Sequence, residues 1–585
     1  MLRKRARAGS LPYLWAFALI IVSAYLVLPY AVPERLADPE LARLSILFGR
    51  GFIVCLGLPV LLAGLLSRRS RGELDRLERL GKPILFFSAA AYSASMLVLS
   101  SFKGRAHHTY ADMATHLEIL WRAGHGLGLT SALSTEYHHG SHWFAAHFTP
   151  IAYLFVIPFR LFPYPETLHL IQTAALVSAV IPIVLYARMR LGKAAGDWVG
   201  VVYLCYPTLH YINLYEFEYL RFAIPTLAWA FYAIHKGDLK VYSLAVLASL
   251  LVREEVSAVV AMLGLYVTFH LGKRKVGLVT TLASLAYFAV ALKIVIPFFR
   301  DDNTLVYAAN YAHLGASPAD IASNVLLHPL RTIRILADPM RLANLAMYLV
   351  PLGFLPLLGF VPLLIALPNI GMTFLSQYMT NYSFILYYLA PSIPFLMFAQ
   401  ADGIKILIGR WAEGEDRAAA RAVVLPALAA CTFLSAVWFG PLPFSLQFWS
   451  MKHRVGVFYT TNFHRSNYQR TARTGSRDMV VAAVPKDARV AAEQPFMPHL
   501  FDRSELLCFP DDVKRADYIV FDRKVEKRTG CQTTFLDFRN NPDRYYSEIE
   551  SDVRNWELMM ERDGVKLFRR RNIDEWLKGR SHSKR

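Results

Sequence analysis

KGRAHHTYADMATHLEILWRAGHGLGLTSALSTEYHHGSHWFAAHFTP, Lys103 to Pro150, is polar and crowded with histidine, yet long hydrophobic runs flank it on both sides. A polar stretch held between apolar ones reads as the working loop of a membrane-embedded chain. Of the 585 residues 55% are hydrophobic and mean hydropathy is positive, a combination uncommon in soluble chains of this length. Runs of about 20 apolar residues, each able to cross roughly 30 Å of hydrocarbon as a helix, alternate with short basic loops. The fold expected is therefore mostly α: a polytopic transmembrane helix bundle. The formal net charge of +19 does not point to nucleic acid, because Lys and Arg fall beside the spans rather than on one amphipathic face.

Charge placement sets the topology. Arg3, Lys4, Arg5 and Arg7 put the N-terminus in the cytoplasm, and Leu11 to Val32 reads as a retained helix, too long for a cleaved signal peptide. Ile46 to Leu66 returns to the basic loop SRRSRGELDRLERLGK, and Pro83 to Ser101 delivers Lys103 to Pro150 to the outer face. Ile151 to Phe162, short and containing Pro158 and Arg160, reads as re-entrant or interfacial, which keeps Arg188, Arg190 and Lys193 inside. Spans follow near Glu166 to Tyr186, Trp198 to Leu214, Arg221 to Ile234, Val241 to Val252, Val256 to Phe269 and Val276 to Phe298. After an outer segment, Arg300 to Arg341, come Leu342 to Leu358, Phe360 to Ser376, Ser383 to Gln400 and Ala422 to Gly440. The total is about thirteen crossings of a cell inner membrane.

This divides the chain into 1–82, two helices and a basic cytoplasmic loop; 83–441, the membrane core with the outer loop 103–150; and 442–585, a small extracytoplasmic α/β domain. In the last part VPKDARVAAE and ADYIVFD read as strands, and NWELMMERDGVKLFRRR as a hairpin turning at Asp563-Gly564. Cys55, Cys205 and Cys431 stand singly in apolar spans as small hydrophobes, whereas Cys508 and Cys531 share a polar region and could pair in an oxidising compartment.

On this topology the outer face collects Asp112 with its histidines, then Glu216, Glu218 and Arg221 at one hairpin and Arg253, Glu254 and Glu255 at another. Such groups cost at least about 2.5–3.5 kcal/mol at bilayer depth, so they mark a site or a salt bridge; the Arg253-Glu254-Glu255 tip reads equally as a solvated turn. Asp112 is either a helix-start aspartate or a general base aligned by His116 four residues on, with Glu118 on the same helix. His138, His139 and His142, with His147 nearby, could hold a divalent metal, contact phosphate or line a polar surface; their spacing is not HExxH. Lys103 and Arg105 read as contacts for anionic lipid head groups or as interfacial anchors.

An aspartate-bearing first outer loop, HFTPI, many spans and a C-terminal α/β domain together resemble the GT-C superfamily of integral-membrane glycosyltransferases. DMATHLEILWRAGHGLGLTS, EFEYLRFAIPTLAWAFYAI, LLVREEVSAVVAMLGLY, YAHLGASPADIASNVLLHP, PLGFLPLL, ALPNIGMTFLS, YYLAPSIPFLMFA and FGPLP, in that order from about Lys103 onward, more closely resemble a bacterial family of predicted membrane proteins of unknown function near that superfamily. Departures are Glu118 for an amide, Phe217-Glu218 for a Phe-His pair and Tyr387-Tyr388 for a His-Tyr pair. The resemblance implies sugar transfer from a polyprenyl-phosphate carrier to an unnamed acceptor. Asp112 would be the base, with His116 and Glu254 beside it. Lys103, Arg105, His147, Glu218, Arg221, Arg253 and Glu255 would bind substrate, with a divalent metal as the one cofactor implied. The rival readings are a transporter or flippase, against which stands the lack of an internal repeat, and a non-catalytic polysaccharide-assembly partner.

Overall fold

The computed structural model describes residues 39–133, 140–301, 306–414, 416–449, 463–524 and 535–571. Among them five helical stretches are long and apolar enough to cross a membrane: Arg71–Arg105, Pro165–Leu191, Arg274–Phe299, Ala390–Trp411 and Asp416–Phe439. Gly51–Leu66, Ala152–Leu161, Leu239–Val252, Val256–Phe269 and Leu363–Phe374 are apolar but shorter. The chain is a multi-pass integral membrane protein.

Five full-length helices are fewer than the count of apolar runs, and the backbone shows why. The run expected as one span at Trp198 to Leu214 breaks at Tyr206-Pro207 into Lys193–Cys205 and Pro207–Leu214, because proline cannot donate to the helix ladder and clashes with the preceding turn. The run at Leu342 to Leu358 closes in two 3-10 turns, Val350–Leu352 and Leu355–Leu357, each containing proline. Leu11 to Val32 lies outside the described residues. Ala152–Leu161 has 10 residues, about 15 Å of helix and half of a hydrocarbon core.

The C-terminal part holds a five-stranded sheet in the order β2-β1-β3-β5-β4, with β1 Arg489–Ala492, β2 Glu505–Cys508, β3 Tyr518–Asp522, β4 Trp556–Arg562 and β5 Val565–Arg570. β1 pairs in parallel with both β2 and β3, while β5 runs antiparallel to β3 and β4. The β4–β5 turn is at Asp563-Gly564, both with positive φ (56° and 85°), as a two-residue hairpin matching strand twist demands. Cys508, at the end of β2, is disulfide-bonded; Cys531 lies outside the described residues.

The sheet matters to the loop 103–150 because the two share a core. Helix Ala111–Gly124 turns Met113, Leu117 and Leu120 into the membrane-side cluster, at helical spacing, and Ala111 and Ala114 into a cluster with Val480, Phe496 and Met497. His107 pins the entry to this helix. Its ring sits 2.7 Å from Asp478 and 3.2 Å from the Pro495 carbonyl. The Asp112 helix is thus clamped between bilayer helices and the C-terminal sheet.

Candidate active site

The first turn of helix Ala111–Gly124 lacks a side-chain cap of its own. Glu216, from the hairpin between Pro207–Leu214 and Tyr219–Phe222, supplies it: its two oxygens accept from the Tyr110 and Met113 N–H groups at 2.9 and 2.8 Å. Two orphan donors are satisfied by a carboxylate at the positive end of the helix. Asp112, at the same end, is therefore not needed as a cap. Its Oδ2 accepts from the Tyr215 hydroxyl at 2.9 Å, and unlike its neighbours Ala111 and Met113 it is open to water. The protein packed round this recess raises its pKa, Glu218 adds to the rise, and the Tyr215 hydrogen bond, His116 and Arg221 oppose it.

His116 points elsewhere. It is buried, edge-on to Trp143, Phe217 and Tyr219 with centroids 5.0, 5.4 and 4.9 Å away, and its Nε2 lies 3.7 Å from Glu218. Glu218 also caps Tyr219–Phe222 by accepting from the Tyr219 N–H at 2.8 Å and stands 3.6 Å from Arg253. Burial opposes its charge, but His116, Arg253 and His147 outweigh burial and hold Glu218 far below the carboxylate range. His116 and Asp112, four residues apart, thus serve different neighbours. Glu118 faces away as well. It accepts from the Ser131 hydroxyl, and burial pushes its pKa up to about 7.

The Arg253-Glu254-Glu255 turn, open to reading as solvated, is packed inside: Arg253 and Glu254 are 4% and 5% exposed. Glu254 Oε2 accepts from the Phe148 N–H at 2.9 Å, and its Oε1 lies 2.9 Å from His147 Nδ1. The Arg253 Nε is 3.1 Å from that same nitrogen and 3.1 Å from Glu255. Beside His147 and Arg253, Glu254 stays below the ordinary carboxylate pKa despite burial, while burial raises Glu255, helped by Glu254 next to it. One atom each of His147, Glu254 and Glu255 lie within 4.8 Å of one another, a group able to hold a metal ion. The HHGSH run is a separate candidate. His138 and His139 lie outside the described residues. His142 accepts from the Phe144 N–H at 3.1 Å and stacks on Phe299, so its Nδ1 is already engaged.

The two cations expected just past the membrane exit separate. Lys103 is 2% exposed, with Nζ donating to the Leu214 carbonyl at 3.3 Å and lying over Phe463. It is neither a surface anchor nor a head-group contact. Arg105 is exposed and only 4.0 Å from Glu166.

Arg221 is a buried charge. It is 1% exposed, donates to the Gln172 amide oxygen and lies over the rings of Tyr215 and Tyr387. Its Nε and Nη2 have no hydrogen-bond partner among the described residues. The sequence reading missed Tyr215 and Gln172. Gln172, with His169 and Thr173, is a polar residue inside an apolar span, the signal that could have found it; Tyr215 carried only its place next to Glu216.

Residues 108–567 match the family described as predicted membrane protein DUF2079. The chain belongs to that family. Among solved structures this DUF2079 member is similar to ArnT from Cupriavidus metallidurans in the apo state, at 10% identity and a TM-score of 0.43, over 82% of this chain and 97% of that one. It is also similar to the Archaeoglobus fulgidus oligosaccharyltransferase in the apo form, at 12% identity and a TM-score of 0.43, over 76% and 69% of the two chains. A complex of that oligosaccharyltransferase with Zn and sulfate matches at 14% identity and a TM-score of 0.40, over 75% and 68%. No protein of curated function matches the chain.

Proposed function

We propose that this chain is an integral-membrane glycosyltransferase that moves a sugar from a polyprenyl-phosphate carrier to an acceptor hydroxyl on the extracytoplasmic side of the cell membrane. The observation that carries this reading is Asp112: a water-accessible carboxylate, relieved of capping duty by Glu216 and oriented by Tyr215, at the rim of a buried set of charges. Asp112 takes the proton from the acceptor hydroxyl as its oxygen attacks the anomeric carbon. The bond from that carbon to the carrier phosphate breaks, and the electron pair leaves with the phosphate. Arg221, whose Nε and Nη2 have no hydrogen-bond partner among the described residues, offsets the charge that develops there. Apolar grooves between the spans hold the isoprenoid chain, binding energy remote from the reacting bond.

A divalent ion fits the acidic turn. His147 Nδ1 faces a guanidinium N–H and a carboxylate oxygen at once, and one ring nitrogen cannot donate to the second while accepting from the first. His147, Glu254 and Glu255 would hold the ion, and the chemistry it would supply is positive charge beside the departing phosphate. Arg253 Nε lies 3.1 Å from both His147 Nδ1 and Glu255 and competes for them, so Arg253→Met is expected to tighten Mn²⁺ binding by roughly tenfold, about 1.4 kcal/mol, and Glu254→Gln to abolish it. Titration of the purified chain by electron paramagnetic resonance checks both; weaker binding in Arg253→Met would contradict the shared site.

The activity is tested by reconstituting the purified chain with a panel of polyprenyl-phosphate sugars and a mixture of envelope acceptors and following released polyprenyl phosphate. Release that depends on acceptor is the expected result. Movement of the intact sugar lipid between leaflets without release would favour the flippase reading.

A further inference from the structure

The segment between Arg274–Phe299 and Leu363–Phe374 carries two short helices that the site does not use, Pro318–Leu327 and Pro329–Leu336. Their inner side is tied down: Asn324 donates to the Leu314 carbonyl at 2.8 Å and Arg331 to the His313 carbonyl at 2.6 Å, while Val325, Thr332 and Ile335 are half-buried. The other side is bare. Leu326, Leu327, Leu330 and Ile333 are 76%, 74%, 79% and 60% exposed. At 100° per residue Leu330 and Ile333 share one face, with Arg334 at its edge and Arg331 beyond it. Across the pair, from Pro318 to Leu336, the charged residues are Arg331, Arg334 and Asp320, and Asp320 is tied to Ser317 in the cap of the first helix.

The location explains a face of this kind. Upstream, Arg300 donates to the Ala145 carbonyl at 3.3 Å, right after the apolar helix whose Ile294 and Phe298 are 62% and 79% exposed. Downstream, the Tyr311 hydroxyl donates to the Met372 carbonyl at 2.7 Å and Arg341 Nε to the Phe374 carbonyl at 2.8 Å, both at the end of the apolar helix Leu363–Phe374. The pair therefore hangs at the level where two apolar helices end, on the side of the molecule that carries the acidic turn. Four large apolar side chains at that level, with Arg334 at the rim and no anion among them, match the boundary between acyl chains and phosphates.

We infer that Pro318–Leu327 and Pro329–Leu336 lie in the head-group layer of the membrane, with Leu326, Leu327, Leu330 and Ile333 in the acyl boundary and Arg334 on anionic phospholipid phosphates. The pair is then a lipid-reading surface beside the site, one that prefers a negatively charged leaflet. The test places a nitroxide at Leu330→Cys, Ile333→Cys and, as an aqueous control, at the exposed Ser323→Cys, in the full chain. Nanodiscs of phosphatidylcholine, with and without phosphatidylglycerol, carry the samples; the unsubstituted chain with its free Cys55, Cys205 and Cys431 is the blank. Labels at 330 and 333 should collide with oxygen several-fold more, and with a water-soluble nickel chelate several-fold less, than the label at 323. Phosphatidylglycerol should deepen them, and Arg334→Gln should remove that deepening. Equal nickel access at 323 and 330 would overturn the inference. So would shielding of 330 from both reagents, the mark of a protein covering the face. Immersion indifferent to phosphatidylglycerol would overturn the assignment of Arg334 to anionic phosphates.

Discussion

Asp112→Asn is expected to lower transfer by about 10²–10⁴-fold, the usual contribution of a positioned general base, while the protein folds and inserts as before. The fold should survive because the helix start is held by Glu216 rather than Asp112, and an asparagine oxygen still accepts from Tyr215. The pH dependence carries the sign of the mechanism. Transfer needs the carboxylate form, and the surrounding protein, with Glu218, raises the Asp112 pKa. The rate of the unsubstituted chain should therefore fall as pH drops through that raised value, above the range of a free aspartate, and the residual rate of Asp112→Asn should lack this acid limb. kcat/KM measured against pH in nanodiscs checks both. An unchanged acid limb in the variant would assign the titration to another group.

Arg221→Met is the second large effect, and it separates stability from activity. A buried guanidinium hydrogen-bonded to one amide and lying over two rings, with no carboxylate within ion-pair distance among the described residues, carries a desolvation cost that its contacts repay poorly. Replacing buried charges by apolar side chains of similar volume is often neutral or stabilising by about 1–4 kcal/mol where no opposite charge is left uncompensated. The variant should thus keep or raise its Tm and lose transfer by on the order of 10²-fold, as when one preorganised charge is removed from a developing anion. A steep fall in Tm with kcat preserved in the remaining folded protein would make Arg221 a structural residue and remove it from the site.

Much of this was legible in the sequence, for reasons visible in particular residues. The polar loop announced itself because histidines and an aspartate between apolar runs are expensive near a bilayer, and the β4–β5 hairpin because Asp-Gly tolerates the positive φ that its turn requires. The number of full-length spans was not legible. Apolar windows count side chains, whereas the breaks at Tyr206-Pro207 and around Pro351 and Pro356 are backbone events within runs that still look continuous. Within the site, the list of charged residues could be read and their partners could not. Helical spacing suggested His116 as the companion of Asp112, yet the ring turns to Glu218, while the group that contacts Asp112 is Tyr215, more than a hundred positions away. The histidine run shows the same limit: spacing in sequence does not tell where side chains converge, and among the described residues the group able to hold a metal ion is His147 with Glu254 and Glu255, where two loops meet.

The most direct measurement compares lipid-linked sugars and surface glycans in cells carrying the unsubstituted chain, Asp112→Asn or a deletion, at matched protein levels. The account predicts that Asp112→Asn and the deletion behave alike: one surface glycan is lost and one sugar-loaded polyprenyl phosphate accumulates, its head group naming the donor. Wild-type glycans with no accumulating carrier in Asp112→Asn would contradict it, and the protein would then act by transport or assembly rather than by transfer.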